Sequence, residues 1–116
     1  MKQDVIDINE SNLKKFVDSL KPKEPEIREQ LDFGYSYDGK TIEIYEIRPV
    51  WNNPKEIQHL PFAKIRYYSS KIKECWKLYW MRGNLKWKLY DPNPSSTDLN
   101  KLLEVIKEDK FACFFG

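Results

Sequence analysis

Apolar residues along this chain recur at helical spacing, then at every second position, then at helical spacing again. Leu13, Phe16, Val17 and Leu20 fall on one stripe, which predicts a helix over about residues 9–20, with Asn9 or Ser11 as N-cap and Lys21-Pro22 as the stop. The segment Lys21-Pro22-Lys23-Glu24-Pro25 reads as a stiff connector. Pro25 can open one further turn through Glu26-Ile27-Arg28-Glu29, because proline suits the first helical position.

From Leu31 the period becomes two. Strands are predicted over about 31–37 and 41–48, joined by Asp38-Gly39 and ended by Pro49. A two-residue loop there sets Tyr35 opposite Ile42, Phe33 opposite Ile44 and Leu31 opposite Glu46 on an inner face, with Asp32, Gly34, Glu43 and Tyr45 outward. Val50 to Pro61 reads as a loop that carries Trp51, Asn52-Asn53-Pro54 and His59. A third strand over about 62–68 then turns Ala63, Ile65 and Tyr67 inward and Lys64, Arg66 and Tyr68 outward.

The strongest alternation is an aromatic hairpin, with strands over about 75–82 and 85–90 around Gly83-Asn84. A two-residue turn puts Trp80 opposite Trp87, Tyr79 opposite Lys88 and Leu78 opposite Leu89. Trp76, Leu78, Trp80, Leu85, Trp87 and Leu89 then form a core face, while Lys77, Tyr79, Met81, Lys86, Lys88 and Tyr90 face outward. Each large apolar side chain gains roughly 1.5–3 kcal/mol on leaving water, which decides which face is buried.

After the turn-rich Asp91-Pro92-Asn93-Pro94-Ser95-Ser96, a capping signal at Ser95 and Asp98 opens a helix over about 98–108 with Leu99, Leu102, Leu103 and Ile106 on one stripe. The apolar tail 111–116 is expected to dock rather than hang free. These elements describe one α+β domain over 1–116. It is a five-stranded antiparallel β-meander with N- and C-terminal helices packed on one face, in two layers.

Composition narrows the class without naming a function. The chain has 116 residues, 41% of them hydrophobic, and a net charge of +2, so any electrostatic argument rests on where the charges lie. Cys75 and Cys113 are expected to be free thiols in a reducing compartment, and His59 is the one histidine, too few donors for a zinc site without carboxylates from elsewhere. Four glycines supply no phosphate-cradling loop. No cofactor, metal or catalytic residue is therefore expected. Met1-Lys2-Gln3-Asp4 lacks a secretory signal and no apolar run is long enough to span a bilayer, so the expectation is a cytoplasmic protein without a membrane partner.

Glu46-Ile47-Arg48-Pro49 with Trp51, Ala63-Lys64, Trp76 with Tyr79-Trp80-Met81-Arg82, Leu85-Lys86-Trp87 with Tyr90, and the ending Cys113-Phe114-Phe115-Gly116 resemble a family of short bacterial proteins known only as a domain of unknown function. The resemblance runs from about Phe16 to the last residue. It implies an intact domain and brings no activity, ligand or catalytic residue with it.

Three readings of function follow. The leading one is a non-enzymatic protein-interaction or adaptor module, whose anchors would be Trp51, exposed tyrosines or the apolar tail. The alternative is single-stranded nucleic-acid binding through an outer face presenting Lys64, Arg66, Tyr68, Lys77, Tyr79, Lys86, Lys88 and Tyr90, cations for phosphates and rings for unpaired bases. If those five cations met phosphates, the salt slope of binding would be roughly −3.5, at about 0.7 per phosphate. A divalent-metal-dependent nuclease is the third, from Asp32, Glu46 and Arg48, but the hairpin register puts Asp32 and Glu46 on opposite faces. Glu46 and Arg48 are read as a structural ion pair at the edge of the sheet.

Overall fold

The computed structural model describes residues 7–115; the N-terminal Met1–Asp4 segment and Gly116 of the terminal motif lie outside them. Helix α1 (Ile8–Leu20) and the single turn α2 (Pro25–Arg28) lead into six strands, β1 (Asp32–Tyr37), β2 (Thr41–Val50), β3 (Asn53–Ser69), β4 (Glu74–Met81), β5 (Trp87–Leu89) and β6 (Ser95–Ser96), followed by α3 (Leu99–Glu108). The sheet is antiparallel in the order β1-β2-β3-β4-β5. The two-residue β6 pairs with the first half of β4, beside Trp76 and Lys77. The α+β meander read from the sequence is the architecture found.

Caps fix the helix ends. Asp7, not Asn9 or Ser11, is the N-cap of α1, its carboxylate accepting from the Asn9 and Glu10 amides at 2.9 and 3.3 Å. Asp98 caps α3, accepting from the Asn100 amide, while Ser95 lies in β6 and takes no part in the cap. Past α1, Lys21 donates to Asp32 and to the Phe33 carbonyl at 3.1 and 3.0 Å, which ties the helix to the first strand.

One face of the sheet is covered. Leu13 and Val17 of α1 and Leu99, Leu102, Leu103 and Ile106 of α3 pack with Phe33, Ile42, Ile44, Ile65, Trp76 and Leu78 in a single cluster of buried residues. The tail closes one end of it. Asp109, left-handed at φ 45°, accepts from the Phe114 and Phe115 amides at 3.0 and 2.8 Å, so the chain turns back and Phe114 packs against Tyr90 with ring centroids 5.0 Å apart.

The register departs from the sequence reading in three places, each with a local cause. In the first hairpin Tyr37 pairs with Ile42, Tyr35 with Ile44 and Phe33 with Glu46, a shift of two positions. Asp38 accepts from the Lys40 and Thr41 amides at 2.9 and 2.7 Å and Gly39 takes φ 97°, which centres the turn on Gly39-Lys40. Those two amides also hold the Asp38 carboxyl below the ordinary carboxylate range. An even shift leaves every side chain on its expected face.

The expected loop at Val50–Pro61 is strand. Only Trp51-Asn52 turns; Asn53 pairs with Val50, and past the unpaired Pro54, Lys55 and Glu56 the ladder resumes at Ile57 opposite Pro49. Pro49 does not end β2, because β1 begins at Asp32 opposite Ile47, and beyond that point β2 is an edge, where a residue without an N–H is tolerated. Between the pairs Ile44–Ala63 and Tyr45–Pro61 the register slips by one residue. Phe62 is therefore a β-bulge, and consecutive Phe62 and Ala63 are both buried.

The third departure reverses a strand. Trp80 pairs with Lys88, Met81 with Trp87 and Tyr79 with Leu89, so Trp87 and Leu89 share the face of Lys77, Tyr79 and Met81, and Lys86, Lys88 and Tyr90 go to the other. Gly83 does not take the positive φ that a primed two-residue turn needs; Leu85 does, at 63°, and the Arg82 amide donates to the Lys86 carbonyl across a three-residue loop. Asn84 Oδ1 accepts from the Lys86 amide and fixes that loop. Leu85 is 81% exposed in a conformation costing a side chain about 1 kcal/mol. Leu85→Gly is expected to raise stability by about 0.5–1 kcal/mol, read as a shift in the urea midpoint at unchanged m value.

Candidate functional site

Lys64, Arg66, Tyr68, Lys77 and Tyr79 come together on the sheet face that carries no helix, where β3 and β4 pair Lys64 with Tyr79 and Arg66 with Lys77. The alternation of those two strands dictates it, since Ala63, Ile65, Trp76 and Leu78 fill the core from the opposite side. Trp87 joins them, a residue that the sequence reading had placed in the core.

The cations rest on rings. Lys64 Nζ lies 5.6 Å from the Tyr79 ring and 5.9 Å from the Trp87 ring, and Tyr68 has Lys77 Nζ at 4.7 Å and the Arg66 guanidinium at 5.5 Å. The ion pairs among the described residues lie elsewhere: Lys14–Asp18, Lys21–Asp32, Arg48–Glu46 and Lys88–Asp91. Glu43 is the carboxylate nearest in register, opposite Lys64. A ring face attracts a cation without accepting its N–H groups in hydrogen bonds of the strength a carboxylate would make.

The Tyr68 and Tyr79 hydroxyls meet at 2.9 Å. Burial and then the hydrogen bond and charge of Tyr68 push the Tyr79 phenol up to about 12, so the Tyr79 hydroxyl is protonated across the physiological range. The two rings are thereby held at a fixed spacing.

Three residues of the expected set are elsewhere. Tyr90 is 1% exposed in the core beneath Phe114, Lys88 forms an ion pair with Asp91 at 3.7 Å on the opposite side of β5, and Lys86 stands at the exposed hairpin end. The cause is the left-handed Leu85, which moves β5 by one position. Gly83-Asn84 read as a two-residue turn does not signal that shift. Leu85 as the third loop residue, flanked by a side chain able to hold the Lys86 amide, is the only local clue.

His59 also changes place, from loop to strand. It lies on the helix-free face opposite Ile47, stacked on Tyr45 with centroids 4.6 Å apart and planes 11° apart. Gly34 makes room for that stack, because a Cβ there would stand 2.7 Å from the Tyr45 ring.

The remaining candidate chemistry is dispersed. Asp32 and Glu46 face opposite sides of the sheet and are engaged by Lys21 and Arg48, and no group of three His, Cys, Asp or Glu side chains close enough to hold a metal occurs among the described residues. Arg48 Nε donates to Glu46 at 2.8 Å, the carboxylate being the more buried partner. Burial and Asp109 push the Cys113 thiol up, away from the thiolate a nucleophile needs. No helix of the described residues is long and apolar enough to cross a membrane.

Because Tyr79 is protonated more firmly in the folded state, its contribution to stability is complete below about pH 10 and fades as pH rises through about 12. Tyr68→Phe removes the hydrogen bond and charge but not the burial, so the Tyr79 pKa is expected to fall towards 10 without reaching it. Tyrosinate absorbance during alkaline titration reads the shift.

A family model described as a domain of unknown function (DUF3024) matches residues 2–116. No curated protein and no solved structure matches the chain.

Proposed function

We propose that this chain, which belongs to that domain family of unknown function, is a non-enzymatic binding module that takes single-stranded nucleic acid on its helix-free sheet face. The observation carrying the reading is that Lys64, Arg66 and Lys77 alternate with Tyr68, Tyr79 and Trp87 on one uncovered surface, the cations held by rings. Phosphates need cations and unpaired bases need flat π-faces, and a sheet presents both at fixed spacing. A duplex suits the surface less well, because its bases are stacked on each other and inaccessible to the rings.

Three cations give a salt slope near −2, at about 0.7 per phosphate, not the roughly −3.5 that five would give. Anisotropy of labelled single-stranded oligonucleotides across a salt series measures it. Lys77→Ala is expected to reduce the slope by about 0.7, and Tyr68→Ala to weaken binding by about 1–3 kcal/mol. Lys86→Ala and Lys88→Ala should leave binding unchanged. No binding at low salt, or equal losses from Lys86→Ala and Lys77→Ala, would remove the face as the ligand site.

A protein-contact reading is favoured at a different place. Trp51 is 89% exposed at the tip of the β2–β3 ribbon and Ile57 is 62% exposed beside it, on a stretch that neither β1 nor β4 supports. Exposed aromatic residues on such a projection are anchors for protein partners. A photo-crosslinking residue substituted for Trp51 is expected to capture one defined protein in cells, and absence of an adduct from that position counts against the arm.

A further inference from the structure

We infer that Tyr45 and His59 form a second stacking station of the same binding face, so that a bound single strand follows β3 from Tyr68 to His59 instead of ending at Lys64. The inference rests on the nucleic-acid reading of that face. It comes from the bulge at Phe62. In an unbroken strand His59 would fall on the face opposite to Lys64; the extra residue between the pairs Ile44–Ala63 and Tyr45–Pro61 restores Pro61 and His59 to the face of Lys64 and Arg66.

The station is preformed. The His59 ring is exposed and lies nearly parallel on Tyr45 at 4.6 Å, while Tyr45 occupies the space left by Gly34 and its hydroxyl reaches the Tyr35 carbonyl at 3.5 Å. Two stacked rings backed by a glycine make a flat platform whose orientation costs little further ordering when a base joins it. Charge divides the two stations. Lys64, Arg66 and Lys77 surround the Tyr68 end, whereas Glu43 and Asp32 are the charged residues in register near Tyr45 and His59, with Asp32 bonded to Lys21 at 3.1 Å. Phosphates are therefore held at one end, and the other supplies ring surface.

Strand geometry sets the length of strand that can reach both. At about 3.3 Å per residue, Tyr68 to Lys64 spans roughly 13 Å and Tyr68 to His59 roughly 30 Å. A single strand whose bases leave one another to stack on protein rings advances about twice the roughly 3.4 Å of a stacked one, so about three nucleotides cover the cationic end and about six reach His59.

The test compares oligothymidylates of about three and six nucleotides on the full chain and on His59→Ala, with His59→Phe as the ring-preserving control. His59→Ala is expected to weaken the longer ligand about fivefold, the equivalent of one stacked base, to leave the shorter one unchanged, and to keep the salt slope of both; His59→Phe should restore the longer ligand. Equal affinity of His59→Ala and the unaltered chain for the longer ligand overturns the second station while leaving the cationic end intact. Failure of both ligands to bind the unaltered chain at low salt overturns the face as a whole.

Discussion

Because α1 and α3 cover one side of the sheet only, every strand residue is committed by position to the interior or to the bare face. Leu13 and Val17 from one helix and Leu99, Leu102, Leu103 and Ile106 from the other meet a single layer of strand side chains. A strand alternates with period two, so one inserted residue exchanges all subsequent assignments. Beside the core the chain makes that exchange at the Phe62 bulge and at the left-handed Leu85, and a further odd irregularity between Pro49 and Val50 lies near the ribbon tip. The first buries two consecutive residues and returns Pro61 and His59 to the bare face; the second sends Tyr90 into the core and brings Trp87 out.

The bare face owes its character to those two irregularities. Trp87, displaced from the interior, supplies the second ring against Lys64, and Tyr90, buried in its stead, becomes the seat for Phe114. Docking of the tail and the exchange of Trp87 for Tyr90 thus go together. The tail in turn closes the core, with Phe115 lying 5.2 Å from Phe62 and 6.3 Å from Phe33. The bulge residue, the first strand and the chain end meet in one aromatic cluster.

The β2–β3 ribbon stands apart from this economy. Beyond Asp32 on one side and Ala63 on the other it is two strands wide, a form that is marginal in water unless something else holds it. Pro49 and Pro54 lie in it, and neither has an N–H to offer another strand. The Glu46–Arg48 pair sits at its root, where the apolar stripe of β2 gives way to charge.

Sequence alone determined the helices, the antiparallel meander and the sidedness of β1, β2 and β4, because those depend on local periodicity and on turn residues that an even shift of register does not disturb. Asp38 moved the first turn by one position, which shifts the pairing by two, and no face changed. Lys64, Arg66, Tyr68, Lys77 and Tyr79 were legible as one surface for the same reason. What only the tertiary structure decided were the odd shifts. Whether Phe62 pairs or bulges depends on β2 opposite it, and whether Trp87 or Tyr90 is buried depends on the tail and helices that compete for the same core volume. Both choices are settled by packing between segments far apart in the chain, a kind of information that alternation along a single strand does not contain.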